Sequence, residues 1–381
     1  MNVIFTCGGT GGHINPAIAV ANIWKERHPE DNILFIGAKD RMEEKLVPQA
    51  GYRLFTIPAS GLSRSISFAA LKRNARAVSY VFQAVSSCKK TIREFKADVV
   101  VGTGGYASFP ALLAASMLGV PTCVHEANAM PGLTTRMIAG RADRVLTCFP
   151  ESAKYYRHPE KVETVGMPVR KEFIFTKKAD ARRELGLDDR PLIVSAFGSQ
   201  GAKAMNEVMA QLFALEKEAG YPFQHIHAIG RYGVEWMPEA VAAQGVDLSE
   251  NKGITMQEYI YNMPTVMAAA DVVISRAGAS TCNEIAASGT PCVLIPSPNV
   301  TDNHQEKNAR ALSDQGAAIL MLEKDCTAQA LMTQIGDLLS SPERIKKMEQ
   351  ALLKICVPDS AERLCEIAYN LAKEKQDGNK R

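Results

Sequence analysis

The chain has 381 residues, 46% apolar and 22% charged, with a net charge of +3, which is the composition of an ordinary globular protein long enough for two domains. No run reaches the ~18 apolar residues needed to span a bilayer, and Met1 leads straight toward a strand with no secretory signal pattern. The nine cysteines are scattered without a C-x-x-C pair, six of them (Cys7, Cys123, Cys148, Cys282, Cys292, Cys365) in apolar surroundings. That argues for buried thiols in a reducing compartment and against disulfides or zinc.

Val3 to Thr6 is apolar-rich and predicts a buried parallel strand. It breaks into Gly8-Gly9-Thr10-Gly11-Gly12-His13, after which Ile14, Ala17, Ile18, Ala21 and Ile23 recur near helical spacing. The pattern is strand, glycine turn, helix. Glycines let a ligand approach the backbone, and a helix start offers N–H groups and a positive dipole end, so the turn suits a phosphate or sugar, with His13 on its rim. The spacing is neither the dinucleotide G-x-G-x-x-G nor a Walker loop. A tight turn with a surface histidine, common in α/β proteins, is the plainer alternative.

Further strands are predicted at Ile33–Gly37, Tyr52–Ile57, Asp98–Gly102, Thr122–Glu126 and Arg144–Thr147, mostly separated by helical patterns; this alternation implies a parallel sheet covered on both faces. Residues 1–165 carry 20 basic and 13 acidic residues against 24 and 28 in the remainder. Residues 61–96 alone hold eight cations (Arg64, Lys72, Arg73, Arg76, Lys89, Lys90, Arg93, Lys96) and one acid, Glu94. In the same region Phe68, Leu71, Ala75, Val78, Phe82 and Val85 form one helical stripe, expected to face the core, while Ala70, Ala77, Val81 and Ala84 line another face. A basic segment beside exposed apolar residues fits docking on an anionic bilayer, each cation near the surface contributing ~1 kcal/mol. Nucleic acid fits less well, since no nucleic-acid motif appears. Gly104-Gly105-Tyr106 and His125-Glu126-Ala127-Asn128 close consecutive strands beside the first turn; His125 itself reads best as a packed strand-end histidine.

A Gly/Pro break at Val165–Arg170 resembles a linker and divides the chain into domains 1–165 and 166–358. The second set of strands is expected from Pro191–Ser195 onward, at Gln224–Ile229, Ile254–Met256, Asp271–Ser275 and Pro291–Pro296. One repeat decides the architecture. Asp98 to Val124 and Asp271 to Leu294 both read strand, glycine turn, helix, Gly-x-Pro, strand. Two similar doubly wound domains follow, with ligands at the carboxyl ends of their strands. In the second half, Phe197-Gly198-Ser199-Gln200-Gly201-Ala202 is another phosphate-compatible turn. Ser275 to Glu284 places small donors at a helix start, with Glu284 able to accept two ribose hydroxyls or, more plainly, to complement the helix dipole. Thr301 to Ala309 is expected to be a polar loop suited to sugar recognition. His225 and His227 share a strand face without a third ligand, which argues against a metal. Asp359–Lys373 predicts a last helix, with Glu374–Arg381 a frayed tail.

These motifs together, Gly8 to His13, Gly104-Gly105-Tyr106, His125-Glu126-x-Asn128, Gly198 to Ala202, Arg276-x-Gly278-Ala279-x-Thr281-x-x-Glu284 and Asp302-Asn303-His304-Gln305-x-x-Asn308-Ala309, occur in one order over nearly the whole chain. In this they resemble the MurG family, UDP-N-acetylglucosamine transferases that convert lipid I to lipid II in peptidoglycan synthesis. The resemblance implies a GT-B fold of two Rossmann-like domains facing across a cleft, the last helix packed back on the N-terminal domain, and inverting transfer without a metal or other cofactor. It implies further that UDP-GlcNAc is the donor and that an undecaprenyl-linked sugar is the acceptor. It also implies residence on the cytoplasmic face of the membrane, with other cell-wall synthesis proteins as partners. Ala127, where glutamine is usual, and Phe197, where glycine is usual, depart from the family pattern.

Carried over by position, Glu284 would hold the ribose, the Ile260 backbone the uracil edge, Ser199 and Arg170 the diphosphate and Gln305 the sugar hydroxyls, with Asn128 near the acceptor side. Thr10, Gly11, Gly12, Arg276, Ala279, Ser280 and Thr281 complete the expected UDP-GlcNAc contacts, and Gly104, Gly105 and Tyr106 the acceptor contacts. The first turn is then expected to face the acceptor diphosphate. His13 is the expected base for the acceptor hydroxyl, because a histidine's ordinary pKa of about 6.5 suits proton transfer, with Glu126 the alternative. Three rival readings stand beside this one. They are a different GT-B transferase acting on a lipid acceptor, an NAD-dependent enzyme, for which the fingerprint is missing, and a non-catalytic sugar-nucleotide-binding membrane module.

Overall fold

The computed structural model describes residues 1–58, 68–250, 253–300 and 303–378, with the backbone alone for 68–79 and 250. They form two compact units, Met1–Arg170 with Val357–Arg381, and Lys171–Cys356.

The first unit opens with β1 (Asn2–Thr6), α1 (Gly11–Arg27), β2 (Asn32–Ala38), α2 (Glu43–Gln49), β3 (Arg53–Ile57) and α3 (Phe68–Phe95). It continues with β4 (Val99–Gly102), α4 (Ser108–Met117), β5 (Thr122–Glu126), α5 (Leu133–Ala139), β6 (Arg144–Thr147) and β7 (Val162–Thr164). Its seven strands lie in the order β3-β2-β1-β4-β5-β6-β7, each neighbouring pair parallel. β1 is buried on both faces because successive side chains point to opposite sides. Val3 and Phe5 join the core formed with Ile14, Ala17, Val20 and Trp24 of α1, while Ile4 joins the core beneath Ala84, Cys88 and Ile92 of α3 and Ala111 and Leu112 of α4.

The second unit runs α6 (Glu172–Phe175), α7 (Lys178–Glu184), β8 (Leu192–Ala196), α8 (Lys203–Glu218), β9 (Gln224–Ala228), α9 (Met237–Ala243) and β10 (Ile254–Gln257). Then come α10 (Met263–Ala269), β11 (Val272–Ser275), α11 (Ala279–Ser288), β12 (Cys292–Leu294), α12 (His304–Ser313), β13 (Ile319–Leu320), α13 (Ala328–Leu339) and α14 (Pro342–Ile355). The strand order β10-β9-β8-β11-β12-β13 repeats that of β3-β2-β1-β4-β5-β6. The two copies of the repeat, β4-α4-β5 and β11-α11-β12, therefore occupy equivalent places. Each unit switches strand order once, between β1 and β4 and between β8 and β11, and ligands of open α/β sheets bind at such points.

The last helix, α15 (Ser360–Gly378), belongs to the first unit. Its Leu364, Cys365, Ala368 and Ala372 complete the α1 side of the core, and Tyr369 stacks on His28 at 4.1 Å. Among the described residues no helix is long and apolar enough to cross a membrane. All nine cysteines are free, and eight are buried.

Five expectations are corrected. The break at Val165–Arg170 is no linker: Val165 and Met167 are buried, Gly166 O accepts from His125 Nε2 at 2.9 Å, and the units divide after Arg170. The segment from Glu374 continues α15 to Gly378, with Gln376 Nε2 donating to Asp98 Oδ1 at 2.8 Å. The polar stretch expected as a loop is helical from His304, its apolar side reduced to Ala309 and Leu312, while Thr301 and Asp302 lie outside the described residues. On α3 the expected faces are mixed: Ala84 is buried with Cys88 and Ile92 at i, i+4, i+8, and Val85 of the expected core stripe packs against the same core, whereas Phe82, assigned to that stripe, is 73% exposed. The other stripe residues from Phe68 to Val78, and Arg64, Lys72, Arg73 and Arg76, lie outside the described side chains. Finally, the short strands β7 and β13 were not expected, since two or three residues carry no readable period.

Candidate active site

In the first unit the site is built on the β1–α1 turn. Gly9 has φ +91°, and Thr10, extended at φ −144°, starts α1 with its carbonyl accepting from His13 N and Ile14 N at 3.0 and 3.2 Å. No acidic residue lies in the first turn of α1, so its positive end is uncompensated by its own helix. His13 is half-buried. Its Nδ1 lies 3.0 Å from Gly8 O and 3.4 Å from Thr10 Oγ1. A carbonyl can only accept, so Nδ1 carries a hydrogen and, in the neutral ring, Nε2 is the basic nitrogen.

The β4–α4 loop is pressed against this turn. A Cβ on Gly105 (φ +86°) would stand 1.9 Å from Gly8 O, and one on Gly104 (φ +101°) 2.8 Å from His13 Cδ2. Glycine is required at both because only a bare backbone fits there. Thr103 Oγ1 donates to His13 O at 2.6 Å, and Ser108 Oγ bonds Thr6 O and Gly104 O at 2.9 and 2.6 Å. Tyr106 projects outward, 52% exposed.

In the second unit the β8–α8 turn carries Gly198 (φ +90°) and Gly201 (φ +78°), with Ser199 exposed at its tip. The turn is braced by the β9 end, where Ser199 O and Gln200 O accept from Arg231 N and Tyr232 N at 3.2 and 3.1 Å. Across the switch point, Gly278 (ψ 145°) starts α11 with Ala279, Ser280 and Thr281 half-buried in its first turn. Glu284, half-buried, follows one turn later, and the Ile260 backbone lies in the loop leaving β10. Gln305, on α12, accepts from Ser297 N at 2.8 Å through Oε1.

Residues 3–147 match the glycosyltransferase family 28 N-terminal domain, and residues 192–364 the glycosyltransferase family 28 C-terminal domain. A UDP-N-acetylglucosamine–N-acetylmuramyl-(pentapeptide) pyrophosphoryl-undecaprenol N-acetylglucosamine transferase of Acetivibrio thermocellus is 38% identical over 379 residues, 99% of this chain and 100% of its own. One of the same name from Thermoanaerobacter sp. is 40% identical over 375 residues, 97% of this chain and 100% of its own. The chain belongs to the MurG family. The crystal structure of Acinetobacter baumannii MurG superimposes with a TM-score of 0.73 at 26% identity, covering 97% of this chain and 99% of that one. The two Rossmann-like units are those of the GT-B class.

Several residues have partners that their position in the sequence did not reveal. Arg276, expected among the UDP-GlcNAc contacts, is engaged inside its own unit: its guanidinium bonds Glu323, donates to Ile295 O at 3.0 Å and lies 5.9 Å over the Phe197 ring. The departure at Phe197 is thus filled by a buried ring beneath this arginine, and Ala127 is likewise buried. Glu126, the alternative base, is engaged by its own loop. Its Oε1 accepts from Asn128 N and Nδ2 at 3.0 and 2.9 Å and its Oε2 from Gly132 N at 2.9 Å, so it shapes the loop that carries Asn128. Gly104 and Gly105, expected as acceptor contacts, make room for the first turn. Arg170 is exposed and ends the stretch that belongs to the first unit, so the diphosphate ligands expected from it and from Ser199 come from different units. His125 is buried, and burial pushes its pKa below the ordinary histidine value.

His225 and His227 form a polar core: Ser195 Oγ lies 2.7 Å from both rings, and His225 Nδ1 donates to Glu216 Oε1 at 2.7 Å. Among the described residues no group of three His, Cys, Asp or Glu side chains is placed to hold a metal ion. Glu43 and Glu323 escaped the sequence reading, because each sits in a polar run with the signature of a solvated surface.

Proposed function

We infer that the protein transfers N-acetylglucosamine from UDP-GlcNAc to the C4 hydroxyl of the MurNAc unit of an undecaprenyl-pyrophosphoryl-MurNAc-pentapeptide, lipid I, giving lipid II. The observation that carries this reading is the end-to-end match with transferases of that name, joined to a half-buried histidine whose Nδ1 is committed to a backbone carbonyl. His13 Nε2 takes the proton of the acceptor hydroxyl as its oxygen bonds to C1 of the sugar. The C1–O bond to the diphosphate breaks with its electrons leaving on UDP, and one displacement inverts C1.

On this reading the second unit supplies most of the donor contacts. Glu284 takes the ribose hydroxyls, the Ile260 backbone the uracil edge, Gln305 the sugar, and Ser199 the diphosphate, to which Arg170 of the first unit also contributes. The starts of α8 and α11 supply fixed positive charge for the leaving group, so the reaction runs without a metal. The turn Thr10-Gly11-Gly12, with Tyr106 and Asn128, receives the acceptor and its diphosphate. The lipid acceptor calls for a protein seated on the cytoplasmic membrane face, and Phe82, exposed on α3 above the exposed Lys90 and Arg93, supports peripheral attachment there.

A transfer assay with UDP-GlcNAc and a lipid I analogue, run with and without EDTA, tests both halves. Product formation indifferent to chelation is expected; no product refutes the activity, and collapse on chelation refutes the metal-free route. Sedimentation with vesicles should depend on anionic lipid and weaken with salt.

A further inference from the structure

Glu43 opens α2 in a run, Met42-Glu43-Glu44-Lys45, that has the look of an exposed helix start, yet its side chain is fully buried beneath the β1–α1 turn. Oε1 accepts from Gly9 N at 3.0 Å and from Ala38 N at 3.1 Å. Oε2 is buried with no hydrogen-bond partner among the described residues. Two glycines clear the space it occupies: a Cβ on Gly37 would stand 3.0 Å from Glu43 Cβ and Cγ, and one on Gly8 3.2 Å from Oε1. A buried carboxylate with one unsatisfied oxygen is costly, so its presence needs a reason.

The Gly9 N–H and the Gly8 C=O belong to one peptide group. Its N–H end donates to Glu43, and its C=O end accepts from His13 Nδ1 at 3.0 Å. A single peptide plane is therefore held from both sides, with a carboxylate at its positive end and the imidazole at its negative end. Deepening the proposed function, and resting on it for the role of His13, we propose that Glu43 is a positioning residue that acts on His13 through the Gly8–Gly9 peptide. The carboxylate fixes and polarises the peptide; the carbonyl fixes the Nδ1–H tautomer and supports the imidazolium formed when Nε2 takes a proton. Hydrogen bonds in series strengthen one another, and burial keeps water from screening them. The arrangement matches a carboxylate–histidine pair with a peptide between its members.

Other titratable groups face this pair without replacing the carboxylate. Cys7 lies beside Glu43, and burial, with the Glu43 charge second, raises its thiol pKa so that it stays neutral. His125, coupled to His13, is held toward its neutral form chiefly by burial, with Glu126 opposing this. From the β4–α4 loop, Tyr106 comes within 3.9 Å of where a Gly9 Cβ would be.

The test uses the full chain with ¹⁵N-labelled histidine and the substitutions Glu43→Gln and Glu43→Asp. Glutamine can still accept from Gly9 and Ala38 but carries no charge; aspartate keeps the charge but falls short of Gly9 by about one methylene. The expected wild-type spectrum shows neutral His13 with hydrogen on Nδ1. In Glu43→Gln, kcat falls roughly 10-fold at unchanged KM for UDP-GlcNAc, and the acidic limb of the kcat profile moves to lower pH. In Glu43→Asp the single-tautomer signature gives way to a mixture. An unchanged tautomer and an unchanged pH profile in both variants would overturn the proposal, as would a wild-type His13 with hydrogen on Nε2. The tautomer is read without substrate, so a wild-type protein that made no lipid II would sink the function and leave this coupling standing or falling on its own spectrum.

Discussion

Replacing Gly105 by alanine tests how tightly the β1–α1 turn is held. The new Cβ would lie 1.9 Å from Gly8 O, 2.6 Å from its carbonyl carbon and 2.8 Å from its nitrogen, all backbone atoms that cannot rotate away. Non-bonded contacts begin well above 3 Å, so the Gly8–Gly9 peptide must retreat by roughly 1 Å or more. The positive φ of +86° adds strain of about 1–2 kcal/mol for alanine. The displaced peptide is the one that anchors His13 Nδ1, and a 1 Å error in a reacting group costs on the order of 100-fold in rate. We therefore expect kcat for GlcNAc transfer to a lipid I analogue to fall about 100-fold, with UDP affinity by calorimetry unchanged. Gly119→Ala is the matched control: φ is +68° but nothing lies within 4 Å of the added methyl. It should lower the melting temperature by a few degrees, as about 1 kcal/mol does in a protein of this size, and leave kcat intact. A Gly105→Ala enzyme with near-normal kcat, or a Gly119→Ala enzyme equally impaired, would refute the reasoning.

Removing the proposed base, His13→Ala, should lower kcat by about 10²–10⁴-fold and abolish the acidic limb of its pH profile, measured by steady-state transfer. Glu284→Ala should raise the UDP dissociation constant by one to two decades, since hydrogen bonds to a charged group contribute about 1.5–3 kcal/mol; calorimetry with UDP alone reads it. His227 is buried with its pKa pushed down to about 3, chiefly by desolvation, so below the ordinary value of about 6.5 the unfolded chain binds a proton that the folded one refuses. Folding stability should therefore fall between about pH 6.5 and 3, by up to about 1.4 kcal/mol per pH unit from this group, and His227→Asn should flatten that slope in urea titrations. Leu364→Ala, at a fully buried position of α15, should cost about 2–5 kcal/mol by the same titrations while leaving transfer intact well below the melting temperature.

Much of the architecture could be read in advance because parallel strands buried on both faces appear as short apolar runs. Asp98 to Val124 and Asp271 to Leu294 betrayed the doubling, and both copies fall at the same place in their sheets. What escaped reading has a common physical origin. Glu43 and Glu323 are charged side chains whose partners, Gly9 N and the Arg276 guanidinium, are 34 and 47 residues away. Phe82 and Ala84 exchanged faces because a helix with apolar residues on two sides has no single stripe to reveal its core. The helix from His304 was hidden because its buried side is carried by small and amide residues, including Asn308, whose Nδ2 donates to Ala277 O at 3.2 Å. Arg276 shows the limit of motif reading: the residue was found, but its partner decides what it does.

The return of α15 to the first unit fixes the order in which the protein can be finished. Until residues 357–378 leave the ribosome, Ile14, Ala17, Val20 and Trp24 lack the side chains of Leu364, Cys365, Ala368 and Ala372 that complete their core. The second unit is encoded by one continuous stretch, residues 171–356. Domains fold as units while synthesis proceeds at about 5–20 residues per second, so the later-encoded half can be compact while the earlier one still waits, with its apolar face open. A nascent chain stalled before Val357 should thus expose the first unit, and not the second, to proteases and chaperones.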